Sequence, residues 1–265
     1  MFVGRDTDHA FIGNFMKKKY AALCQSLGKT DTAYIYCSKD DFSKLIGMIS
    51  SRPGAARMKA YFASLVDPDL FTNIPTQYFG TTTLVFCAVS GQELDIPNYY
   101  LISPVGGVIT LTRDSADLMV SYFQDNRASR LAQVAEEAGR PTGFKETKSV
   151  WYEIEKLTDT PGGWLDEMNC QGAAGTTICL SAYPVMMTFP SGGQDVPIDW
   201  QLTLIFLLTK QTSTGAGDFY CYDLEDLPDF EARKALTTRP LPAGGGDTAN
   251  PCPPGTGCTS SVGNP

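Results

Sequence analysis

The residues best equipped for chemistry sit late in the chain. Asp218, Asp223, Glu225, Asp226, Asp229 and Glu231 crowd into one short segment. Two such carboxylates can serve as an acid/base pair, and several together can ligate Ca²⁺. The segment lacks the Asp-x-Asp-x-Asp-Gly pattern of a calcium loop, so its plainer reading is a solvated acidic patch. Cys252 and Cys258 follow, separated by Pro-Pro-Gly-Thr-Gly. That spacer lets the two sulfurs close a small disulfide loop, offer two thiolates to a metal, or serve as an attachment point. Two thiolates alone leave a tetrahedral metal site half-filled, and the bland alternative is a tail with incidental cysteines.

Other chemistries are excluded more cheaply. His9 is the only histidine, so a Ser-His-Asp or Cys-His arrangement would have to use it, and a site built from several histidines is ruled out. Gly28-Lys29-Thr30 is a helix stop and not a phosphate loop, because Leu23 occupies the place of the required first glycine. Gly215-Ala216-Gly217 has no third glycine and no helix after it, which makes it a turn. Lys17-Lys18-Lys19 is expected to solvate the outer face of a helix, with an acidic partner or membrane surface as the alternative. Tyr34, Tyr36, Tyr61, Phe62, Tyr99, Tyr100, Trp151, Tyr152 and Trp200 read as cross-strand aromatic packing rather than a stacking platform. No cofactor and no metal site is expected.

The elements that must carry these residues come in a repeated order. Phe11, Ile12, Phe15, Met16, Tyr20, Leu23 and Leu27 form a 3.6-residue stripe, predicting a helix over 7–27 that Gly28 ends. A short strand follows at 33–37. Ser38 then caps a second helix, with Asp41 as its acidic partner. Strands are expected at 56–65, 81–89 and 99–102, with one more possible at 108–112. The second series runs through a helix at 115–138, a strand at 149–154, a short helix opened by Thr160-Pro161, and strands at 174–182, 201–209 and 218–222. Gly54-Ala55-Ala56 is answered by Gly172-Ala173-Ala174, and Thr83-Leu84-Val85-Phe86 by Thr203-Leu204-Ile205-Phe206. The fold expected is therefore α+β, a helix-strand-helix-strand-strand-strand unit present twice, with mostly antiparallel sheets and pseudo-two-fold symmetry. The repeats are placed at 1–112 and 113–237. A Pro/Gly/Cys-rich tail, 238–265, has too little apolar surface to order itself.

The chain has 265 residues, 43% of them hydrophobic, which suffices for a substantial core. A net charge of -8 disfavours binding to phosphate backbones, so no nucleic-acid partner is expected. No stretch reaches the roughly 18–20 apolar residues of a membrane span. The first residues lack the layout of a secretory signal, and the expectation is a cytoplasmic protein with reduced, mostly buried cysteines.

The segment around 46–62, together with Thr-Thr-Leu-Val-Phe-Cys-Ala-Val at 82–89 and the tail Pro251-Cys252-Pro253-Pro254, resembles small proteins common in Bacteroidota genomes. The resemblance covers about a quarter of the chain. It implies a bacterial origin and carries no activity with it. The functional expectation is a non-enzymatic protein that self-assembles or binds a protein partner. The alternatives are a small-molecule site between the repeats and a carboxylate-dependent hydrolase.

Overall fold

Among the described residues every strand pairing is antiparallel, and each of the two main sheets includes a strand from the other half of the chain. The computed structural model describes residues 5–66, 68, 70–183, 188–191, 194–197, 200–209 and 250–251. The expected strand at 218–222 and the tail, apart from 250–251, lie outside the described residues.

The first long helix comprises α1 (Arg5–Phe15), a π-helical turn (Met16–Tyr20) and α2 (Ala21–Leu27). Phe11, Ile12, Phe15, Met16 and Leu23 of its stripe are buried. Gly28 ends it at φ 71°, and its N–H donates to the Cys24 carbonyl. A second long helix repeats this plan: α4 (Arg113–Phe123), a π turn (Gln124–Ala128) and α5 (Ser129–Glu137). Between them α3 (Lys39–Ser50) starts as expected, with the Ser38 hydroxyl accepting the Asp41 N–H. The short α6 (Trp164–Cys170) lies later in the chain.

The strands are β1 (Tyr34–Ser38), β2 (Ala55–Ser64), β3 (Thr82–Ser90), β4 (Asp95–Ile102), β5 (Val108–Leu111), β6 (Ser149–Glu153), β7 (Gly175–Ala182), β8 (Thr188–Ser191), β9 (Gln194–Pro197), β10 (Leu202–Thr209) and β11 (Asn250–Pro251). The larger sheet has the order β11-β6-β2-β3-β4-β5, the smaller one β1-β7-β10, and β8-β9 form a separate hairpin. β1 thus joins a sheet whose other described strands come from the second half of the chain. β6 joins one whose central strands come from the first. The registers correspond. Moving β2 forward by 118 positions (57 to 175), β3 by 120 (82 to 202) and β6 back by 115 (149 to 34) reproduces the smaller sheet pair for pair.

Met58, Ala60, Phe62, Leu84, Phe86, Val150 and Tyr152 of the larger sheet share one buried cluster with Ile178, Leu180, Leu204 and Phe206 of the smaller. Phe206 is its hub, with ring centroids 5.0 Å from Tyr152, 6.0 Å from Phe42 and 6.3 Å from Trp164. The Tyr152 hydroxyl donates to the Leu204 carbonyl at 3.0 Å and ties β6 to β10. The opposite face of the larger sheet packs Tyr61, Val85, Tyr99 and Leu101 against Ala116, Met119 and Val120 of α4. Glycine is required at 175, where an added Cβ would lie 2.4 Å from the Cys37 carbonyl oxygen across the β1–β7 pair.

Phe206→Ala and Phe86→Ala are each expected to lower unfolding stability by about 3–5 kcal/mol, the range for emptying a buried aromatic site. Urea titration followed by circular dichroism measures this. A loss below about 1 kcal/mol for both would mean that these rings do not hold the sheets together.

Candidate functional site

Of the residues singled out from sequence, Asp218, Asp223, Glu225, Asp226, Asp229, Glu231, Cys252 and Cys258 lie outside the described residues. His9 sits on α1. Among the described residues, no cluster of three or more His, Cys, Asp or Glu has the geometry to hold a metal. No described helix is long and apolar enough to cross a membrane. Cys37, Cys87 and Cys179 are buried as expected, whereas Cys170 is exposed.

The lysine run departs from expectation. Lys17 is exposed, but the Lys18 ammonium lies 4.4 Å from the Trp200 ring centroid, and Lys19 is fully buried. Lys19 follows Phe15 by four residues and so falls on the apolar stripe. Its ammonium pairs with Glu146 Oε2. Glu146 Oε1 accepts the N–H of Thr147 at 2.9 Å and of Leu202, the first residue of β10, at 2.6 Å.

A second network has the same plan. Arg127 follows Phe123 by four residues and is buried. Its guanidinium lies 3.9 Å from Asp31 Oδ2 and donates to the carbonyls of Leu23 and Gly80. Asp31 Oδ1 accepts the N–H of Thr32 at 2.7 Å and of Thr82, the first residue of β3, at 2.6 Å. In both networks a cation from the π turn of a long helix meets a carboxylate that precedes one strand and caps another. Sequence inspection missed both. The available signal was one cation on each apolar stripe.

A third polar group occupies the α4-covered face of the larger sheet. Lys59 Nζ donates to Asp95 Oδ1 at 2.6 Å, and the Tyr61 hydroxyl donates to Asp95 Oδ2 at 2.6 Å. Asp95 reaches this position because β4 bulges opposite Cys87 and Ala88, with Asn98 at φ 113°. Burial, reinforced by the Asp95 carboxylate, holds the Tyr61 phenol far above its ordinary value, and burial does the same to the Cys87 thiol. Tyr99, nearby, is raised for the same first reason. Burial lowers the Lys148 ammonium. The matching register positions of the smaller sheet hold Thr177, Cys179 and Leu207, so this cluster has no counterpart there. Both Asp95 oxygens are committed within the protein, which leaves the group suited to fixing β2 against β4.

The remaining candidate is the outer edge of β6. Phe62 N–H donates to the Lys148 carbonyl at 3.1 Å. By antiparallel alternation Val150 and Tyr152 also turn their backbone groups to β2, and Ser149, Trp151 and Glu153 turn theirs outward. On that edge lies β11, with Asn250 opposite Trp151 and Pro251 opposite Val150. Proline thus falls where no outward bond is made, and its missing N–H costs nothing. Trp151 is half-buried, with the Arg57 guanidinium 4.0 Å from its ring centroid. Arg57 Nε in turn donates to Glu153 Oε1 at 3.0 Å.

No protein-family model, curated protein or solved structure matches the chain.

Lys19→Met and Arg127→Met are each expected to destabilise the protein by about 3–5 kcal/mol, because each strands a buried carboxylate. Chemical denaturation checks this, and a loss below about 1 kcal/mol in both would show that the pairs are not needed. A pH dependence follows from Tyr61, Tyr99 and Cys87. Their ordinary values are 10.0 for tyrosine and 9.0 for cysteine, and the fold keeps all three protonated well beyond these. The folded chain then binds more protons than the unfolded one, so stability is full below about pH 9 and declines as pH rises. The urea midpoint should fall between neutral pH and about pH 10; a flat profile would contradict the burial of these groups.

Proposed function

We propose that this chain is a non-enzymatic association protein: an internally duplicated α+β scaffold that binds an extended protein segment along the β6 edge. In this reading the two repeats are related by a pseudo-two-fold axis and exchange their first strands, β1 and β6. The matched registers of the two sheets support the duplication, as do the two ion networks of one plan, Lys19–Glu146–Leu202 and Arg127–Asp31–Thr82.

The observation that carries the binding role is the pairing of Asn250–Pro251 on Val150–Trp151. An edge that accepts a remote segment of its own chain has the backbone geometry for strand addition. A two-residue strand with one bonded pair is worth at most about 3 kcal/mol, so an incoming segment can displace it. The sheet faces offer less room, because Phe206, Tyr152, Phe42 and Trp164 fill the space where the sheets meet.

Asn250→Pro removes the N–H that faces Trp151. A labelled peptide copying residues 246–255, with Cys252 replaced by Ser, is expected to bind this variant at least about tenfold more tightly than the parent, whose tethered segment competes at high effective concentration. Trp151→Pro should abolish the binding. Fluorescence anisotropy reads both. An absence of binding to the parent and to a monomeric Asn250→Pro chain alike would sink the strand-addition reading.

A further inference from the structure

We propose that the natural occupant of the β6 edge, once Asn250–Pro251 leaves it, is β6 of a second copy, so that Asn250–Pro251 is a clip that holds the protein monomeric. The inference rests on the reading of β6 as a strand-accepting edge and names its partner.

The argument is self-complementarity. Ser149, Trp151 and Glu153 present their backbone N–H and C=O groups outward, as fixed by the Phe62–Lys148 bond and by Asn250 opposite Trp151. An antiparallel pair centred on Trp151 sets Trp151 against Trp151 of the second copy. It sets Ser149 against Glu153 of the second copy, and Glu153 against its Ser149. All outward-facing groups of both strands then find partners. The register puts no like charges opposite each other: a serine hydroxyl meets each carboxylate, and Val150 meets Tyr152. The two indoles lie side by side, an aromatic cross-strand pair of the kind that stabilises sheets. One rotation relates the copies, so the contact closes as an isologous dimer and does not propagate.

The clip suits its task. Among the described residues it pairs with Val150 and Trp151 alone, which leaves Ser149 and Glu153 without a described strand partner on their outward side. A proline within the covering strand is a known means of blunting an edge, because it stops pairing from extending. A short cover blocks the central register and can be lifted.

The test uses the full chain and its Asn250→Pro variant in light scattering across the micromolar range. The parent is expected at the 28.8 kDa chain mass and the variant at twice that mass, with slowed amide exchange at Ser149 and Glu153. Adding Trp151→Pro to the variant should restore the monomer. Amide exchange in the Asn250→Pro chain gives the same answer without that second substitution, should it impair folding. A monomeric Asn250→Pro chain, or a dimer in which Ser149 and Glu153 exchange as in the parent, overturns the proposal. If that monomer still binds the 246–255 peptide at Trp151, strand addition stands and only the second copy is wrong as the partner. If it binds no peptide, both fall.

Discussion

Each long helix buries one cation on its apolar stripe, and each cation is neutralised by a carboxylate that also caps a strand. A charge taken out of water with no partner is costly, so Lys19 and Glu146 must stay together, as must Arg127 and Asp31. Glu146 simultaneously holds the first N–H of β10, and Asp31 the first N–H of β3. Neither helix can slide along its sheet without stranding a carboxylate and a backbone donor at once. The pairing is also reciprocal along the chain: the early helix is locked to late strands, the late helix to early ones. Helix, strand start and preceding loop are therefore set by a single geometry in two places. The remaining packing, including the Phe206 hub, has only to fill the volume that this geometry leaves.

Much of this was legible in the sequence, and the illegible part has a physical cause. The stripe from Phe11 to Leu27, the Ser38 cap and the Gly28 stop are local signals, and each produced the expected element at nearly the expected residues. Matching words at Thr83–Phe86 and Thr203–Phe206 located β3 and β10. Strand partners distant in the sequence were not legible, because β1 pairs with β7 through contacts that no local pattern encodes. Lys19 was read as a solvated lysine because two more lysines precede it. Its spacing from Phe15 was the stronger signal, since periodicity, not residue type, decides which side of a helix faces inward. Composition marked the tail as unable to build a core, yet it gave no hint that Asn250–Pro251 would pair with β6. Two residues contribute too little to alter any compositional average.

The two sheets are alike in register and unlike in chemistry. At matching positions the larger sheet carries Lys59, Tyr61 and Cys87, the smaller one Thr177, Cys179 and Leu207. The lysine, the phenol and Asp95 form a closed network beneath α4, with the β4 bulge supplying the carboxylate. Such a network earns its place by fixing β4, since a bulged strand has lost part of its regular pairing. In the smaller sheet Thr177 and Thr209 meet in a simple hydroxyl pair at 2.8 Å.

Edge management bears on where, in the proposed reading, this molecule meets another. A sheet buried on both faces still ends in a strand with unpaired backbone groups, and those groups bind whatever extended chain reaches them. The larger sheet ends in β5 on one side, and on the other in β6 covered by the two-residue β11; the inward residues Val150 and Tyr152 of β6 are fully buried and anchor it to the Phe206 cluster. β6 is consequently rigid, with its outward groups held at fixed spacing. Rigidity matters for recognition because the ordering entropy of the receiving strand has already been spent in folding. The incoming segment alone must be ordered. A segment containing proline samples fewer conformations before it binds and loses less on docking. The pairing of Asn250–Pro251 on β6 combines a preordered edge with a stiffened strand, which lowers the entropy cost of so short a contact.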